Sequence, residues 1–148
     1  MTGPPRFRYP RGALGLTDEE SIGPHRIRVV GDTVLTRYIG VPELAHVQAI
    51  HQRFDRVIAE HGRLYVVNDM SRSGIPSSET RRWIAEWARR HPIGGLVNFG
   101  ASMAVRMLQS LVMRASALLG SPAAIHPVHV DGEVEAFAWI EAHRGRMG

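Results

Sequence analysis

The chain contains no cysteine and no lysine. Without cysteine there are no disulfides and no thiolate metal sites, which fits a reducing compartment; a cytoplasmic protein is expected. Without lysine, all 18 basic residues are arginine, whose planar forks favour carboxylates and phosphates. Long apolar runs are also missing. No stretch approaches the ~18 residues of a membrane span, and the chain start lacks the apolar core of a secretory signal. Histidines are present but not at ligand spacing. His46 and His51 fall on different faces of a helix, and His126 and His129 on opposite faces of a strand. His61 and His91 stand at helix ends, where they suit capping of the last carbonyls. The G-x-S-x-G nucleophile elbow, the Gly-rich dinucleotide fingerprint and the phosphate-binding P-loop are absent. No metal, no cofactor and no enzymatic activity are therefore expected. The net charge of +4 is spread along the chain, and nucleic acid is an unlikely partner despite the stretch RFRYPR near the start.

What is present is one domain of ordinary core content: 148 residues, 44% of them hydrophobic. Residues 1–24 form a Pro/Arg-rich arm with no helical or strand period. Phe7, Tyr9 and the arginines give it a means of docking on a partner. The domain proper runs over 25–148. It opens with two short β-rich runs, HRIRVVG and TVLTRYIG, joined by a tight turn at Gly31-Asp32. The period then changes: Leu44, Val47, Ile50, Phe54, Val57, Ile58 and His61 recur at three and four, giving a helix bounded by Pro42 and Gly62. RLYVVND predicts a buried strand ending at Asp69. A helix follows over 77–91, with Trp83, Ile84, Trp87, Ala88 and His91 on one side, then the buried strand GLVNFG. A mostly apolar helix spans Ser102–Leu119. A final strand over 124–130 belongs at a sheet edge because Pro127 lies in it, and a helix over 132–144 closes the chain. The order β-β-α-β-α-β-α-β-α predicts an α/β domain: a mixed, mostly parallel sheet with helices packed on it.

The segment between the strand ending at Asp69 and the next helix, MSRSGIPSSET, holds four serines in eight residues. Much of this is the ordinary chemistry of a strand-to-helix turn. Ser77 is placed to cap the helix, Glu79 suits its positive end, Gly74 and Pro76 shape the turn, and Asp69 and Ser71 can satisfy loop backbone groups. A further use is open. In a parallel sheet the strands ending at Asp69 and Gly100 deliver two helix N-termini to the same edge, one bearing Ser77 and Ser78, the other Ser102. Such termini offer free N–H groups to an anion, and Arg72, Arg81 and Arg106 add charge. A covalent phosphate on Ser77 or Ser78 would use the same physics.

From about His25 to His143 the chain resembles the STAS family, the SpoIIAA-like anti-sigma-factor antagonists and their divergent relatives. The resemblance rests on the element order, on VVNDMS as a strand ending Asp-hydrophobic-Ser, and on EVEAFAWIE as a closing helix. It implies a non-enzymatic module that binds a protein partner, such as a kinase or an anti-sigma-type regulator. It also implies switching by phosphorylation of a serine at the start of the helix after this loop, which maps to Ser77 or Ser78. Where classical members carry an Asp-Ser-x-Gly motif, this sequence reads GIPSSET.

The helix over 102–119 carries Met103, Met107 and Met113 among valines and leucines, and is apolar almost all round. That pattern predicts burial in the core. Methionine-rich faces also adapt to varied contacts, so the same helix would suit a homodimer or another partner. A small-ligand carrier, holding an anion or a lipid between the sheet edge and this helix, is the alternative function.

Overall fold

The computed structural model describes residues 19–118 and 126–147. Strands β1 (Glu20–Ile22), β2 (His25–Val30) and β3 (Thr33–Gly40) precede helix α1 (Leu44–His61). Then follow β4 (Leu64–Ser73), α2 (Ser78–Arg89), β5 (Ile93–Phe99), α3 (Met103–Leu118), β6 (Val128–Val130) and α4 (Glu133–Met147). The six strands lie side by side in chain order. β1, β2 and β3 pair antiparallel, while β3 through β6 pair parallel. The α/β domain with its mixed, mostly parallel sheet is therefore as the sequence indicates.

Chain-order stacking fixes where the helices go. Each parallel step runs in the same direction across the sheet, and right-handed crossovers then place α1, α2 and α3 on one face. Ile50, Phe54 and Val57 of α1 and Trp87 of α2 accordingly pack with Val34, Tyr38, Leu64 and Val66 of the strands. The opposite face is left for α4, whose Ala136, Phe137 and Ile140 bury against Leu35, Tyr65, Val67 and Val97. Here glycine has a specific use. A Cβ on Gly95 would stand 2.8 Å from the Trp139 ring and one on Gly94 2.9 Å from the Tyr65 ring, so both positions make room for aromatic packing.

Local chemistry sets the ends. The β2–β3 hairpin turns through Gly31, at φ +59°, and Asp32. Asp32 is buried and accepts from Arg63 Nε at 2.8 Å and from Arg144, tying the hairpin to β4 and α4. α1 ends at Gly62, whose φ of +74° lets its N–H reach the Ile58 carbonyl at 2.7 Å. His91 donates from Nδ1 to the Trp87 carbonyl at 2.6 Å beyond the end of α2, and its ring stacks on Trp87 at 3.9 Å.

Four expectations change. A strand, β1, lies inside the segment assigned to the arm; it pairs with β2, and Arg53 of α1 forks onto Glu20. The rest of the arm, 1–18, lies outside the described residues. β4 runs on past Asp69 to Ser73, because its last residues leave β5 and continue beside β3, pairing Ile39 with Arg72 and Gly40 with Ser73. The last strand spans Val128–Val130 at the sheet edge, with Pro127 just outside it; positions 124 and 125 lie outside the described residues. Lastly, the described side chains of α3 are mostly exposed and not packed in the core. Met103, Met107, Leu111 and Leu118 are 73%, 60%, 59% and 87% exposed, and Val105 is buried. The side chain of Met113 lies outside the described residues.

Candidate functional site

The parallel register of β4 and β5 brings their C-terminal ends together, with Asp69 beside Phe99. At that end Asp69 is buried and fully engaged. One oxygen accepts from the Ser71 N–H at 3.0 Å and the Ser71 hydroxyl at 2.6 Å, and the other from Arg37 Nε at 2.9 Å. Burial pushes the carboxyl pKa up, but the Ser71 bonds and the Arg37 guanidinium outweigh it, and the pKa lies below the usual value. Asp69 thus shapes the strand end as a permanent anion. It has no proton to give or take near neutral pH. Arg37 was not singled out from the sequence, because its contact crosses 32 positions.

The next turn presses against this one. Gly100 has φ +73°, and a Cβ there would lie 2.9 Å from the Ser71 Cβ. Two residues on, the Ser102 hydroxyl accepts from the Val105 N–H at 3.2 Å and caps α3. At α2 the corresponding cap is Ser77, whose hydroxyl accepts from the Thr80 N–H at 3.2 Å and donates to the Thr80 hydroxyl at 3.1 Å. Ser78, in the first turn, is exposed, and its hydroxyl accepts from Arg81 Nη2 at 3.2 Å. Arg81 also donates to the Pro76 carbonyl at 2.7 Å, which holds its guanidinium at the helix start.

The structure therefore makes three local groupings of the sequence-derived residues: Asp69 with Ser71, Ser71 against the turn that leads to Ser102, and Ser78 with Arg81. Arg72 is exposed on β4, and its side chain has no ion pair or hydrogen bond among the described residues. Arg106 is exposed on α3 and contributes, after burial, to holding the His129 pKa down. Neither guanidinium is bonded to the serines; Arg106 meets Ser102 only through its backbone N–H, which donates to the Ser102 carbonyl at 3.0 Å. No group of three or more metal-ligating side chains occurs among the described residues.

A second feature, not anticipated from sequence, crosses the sheet. Thr36, Asn68, Asn98 and His129 are register partners on four successive strands, so they form one polar row on the face shared with α1 and α2. Asn68 Nδ2 donates to Asn98 Oδ1 at 3.0 Å. Asn98 is 1% exposed. Thr36 Oγ1, Asn68 Oδ1 and His129 Nδ1 are buried without a hydrogen-bond partner among the described residues. Buried polar atoms left this way cost about 1–3 kcal/mol each. Over Asn68 and Asn98, the middle of the row, lies a cavity of about 300 Å³ between the sheet, α1, α2 and α3, walled mainly by apolar side chains. Its signal was visible as Asn98 inside the apolar strand GLVNF and Asn68 closing the apolar run LYVV.

No helix among the described residues is long and apolar enough to cross a membrane. No family model matches the sequence, and no curated protein matches it in sequence. The fold has a solved counterpart. The structure is similar to that of the anti-sigma factor antagonist SpoIIAA in its unphosphorylated form, with a TM-score of 0.53 over 82% of this chain and 98% of that one, at 15% identity. The resemblance to SpoIIAA-like STAS domains thus holds at the level of the fold.

Proposed function

We propose that the chain is a non-enzymatic regulatory module of the cytoplasm that binds a protein partner through the end of the sheet where α2 and α3 begin. Ser78 is the residue through which phosphorylation would switch it. The observation that carries this reading is the exposed Ser78 hydroxyl in the first turn of α2, within 3.2 Å of an Arg81 guanidinium already fixed at the helix start. A phosphate there would meet free helix N–H groups, the positive end of the dipole and a preplaced arginine. Ser77 is also exposed, but its hydroxyl is committed to the cap, and modifying it would cost the helix that bond. The likeness to the fold of an anti-sigma factor antagonist supports the same reading. The partner is then a protein such as a kinase or an anti-sigma-type regulator. Exposed Met103, Met107 and Leu111, one turn apart along α3, supply an adaptable apolar surface beside the switch.

Protein isolated from its native host, digested and mapped by mass spectrometry across Val66–Trp83, tests this reading. Phosphate on Ser78 is the expected finding. Phosphate on Ser77 alone would transfer the switch to the cap, and an unmodified segment under all growth conditions would remove the switch.

A further inference from the structure

Apart from the α2 end, the molecule holds a second arrangement with the character of a site. The cavity of about 300 Å³ sits at the lower end of the range typical of small-molecule pockets. Tyr38, Val66, Trp87, Leu96, Val105 and Leu108 contribute apolar wall. Two of its lining residues carry buried oxygens with no partner among the described residues: Asn68 Oδ1 from the sheet and Gln109 Oε1 from α3. The Asn68 amide nitrogen is taken up by Asn98 Oδ1 at 3.0 Å, which leaves the oxygen as the group on offer. Both oxygens accept, and neither has a donor to accept from.

Among the described residues no carboxylate lines the cavity. His51, which also lines it, spends its Nδ1 proton on the Val47 carbonyl at 2.8 Å and is neutral at pH 7. Among the described residues the lining charges are Arg81, bonded to Pro76 and Ser78, and the exposed Arg89. The walls therefore disfavour a cation, and the interior offers acceptors to a neutral donor.

From this geometry we infer that the cavity is a binding site for a neutral, largely apolar small molecule whose hydroxyl or N–H donor is held by Asn68 Oδ1, with Gln109 Oε1 left to accept from a second donor where the ligand has one. The inference is independent of any switch at Ser78. It narrows the ligand class from an anion or a lipid in general to a compact donor-bearing molecule. Asn68 belongs to the sheet and Gln109 to α3, so a ligand with two donors would bridge the sheet to the helix. Asn98 acts as the positioning residue that fixes the Asn68 amide.

Indole and benzofuran test the inference, because they share a shape and differ in the N–H donor. Indole-3-acetate adds an anion to the same ring. Each is titrated into the whole protein and followed by amide chemical shifts in two-dimensional NMR. Saturable shifts at Leu96, Val105 and Gln109 with indole are expected, with benzofuran weaker by roughly ten-fold, the loss of one buried hydrogen bond to a donor. Asn68→Leu should bring the two probes to equal affinity. Leu108→Trp, which fills the cavity from α3, should abolish both while leaving the α4 amide positions unchanged. Absence of saturable shifts with either probe would overturn the site. Equal binding of indole and benzofuran by the unmodified protein would overturn the donor class. Tighter binding of indole-3-acetate than of indole would overturn the neutral class in favour of an anion held by the arginines.

Discussion

The two faces of the sheet are built to different standards. Under α4, Leu35, Tyr65, Val67, Val97, Ala136, Phe137 and Ile140 are all buried, and glycines at 94 and 95 let aromatic rings approach the backbone. Under α3 the sheet presents a polar row and a cavity, while the helix turns Met103, Met107, Leu111 and Leu118 outward. The first face has the close packing that maximises stability. The second keeps unpartnered acceptors and exposed apolar side chains, features that stability alone would remove. Function is therefore assigned to the α2–α3 side and support to the α4 side.

That contrast can be broken by substitution. Phe137→Ala, on the α4 side at 3% exposure, should lower unfolding free energy by about 3–5 kcal/mol in denaturant titration. A loss below ~1 kcal/mol would mean that the α4 face is not the tight one. Acid should strike the other face. His51 lies among Phe54, Trp83 and Trp87. Burial lowers its pKa from 6.5 to about 4, against the opposing bond to the Val47 carbonyl; Asp55 raises it and His91 lowers it. The unfolded chain then binds a proton that the folded chain refuses. Stability from this group is complete above pH 6.5 and is lost as the pH falls toward 4, by roughly 3 kcal/mol. Buried His25 and partly buried His129 act in the same direction. Urea midpoints measured through this window should fall in the unmodified protein and flatten in His51→Leu.

Smaller effects refine the comparison. Ser77→Ala removes the α2 cap and should cost about 1 kcal/mol, and Ser77→Asn should restore most of it, as read by thermal unfolding. Met107→Ser, on the exposed stripe, should change stability by less than ~0.5 kcal/mol. A loss as large as that of Phe137→Ala would place α3 in the core after all.

The parts of this fold that were legible from sequence are those with strong local periods. α1 and α2 announce their buried faces at three- and four-residue spacing, and the Gly31-Asp32 hairpin and the caps at Ser77 and Ser102 are set by neighbours in the chain. β1 was not legible, because three residues carry no period and pair only through β2. The end of β4 looked like a loop because Ser71, Arg72 and Ser73 are polar; they are a strand through their pairing with β3. α3 misled by being apolar all round, and only the fold shows that Val105 turns inward while Met103 and Met107 do not. At the site, Asp69 and Ser71 were readable as a local pair, but the Arg37 contact, the polar row and the cavity depend on strand register and helix placement.

The most direct test of the regulatory reading is affinity purification from the native host with the unmodified chain, Ser78→Ala and Ser78→Glu as baits. At least one protein should be retained by the unmodified chain and by Ser78→Ala and lost with Ser78→Glu. An identical set of proteins on all three baits would contradict a switch at Ser78.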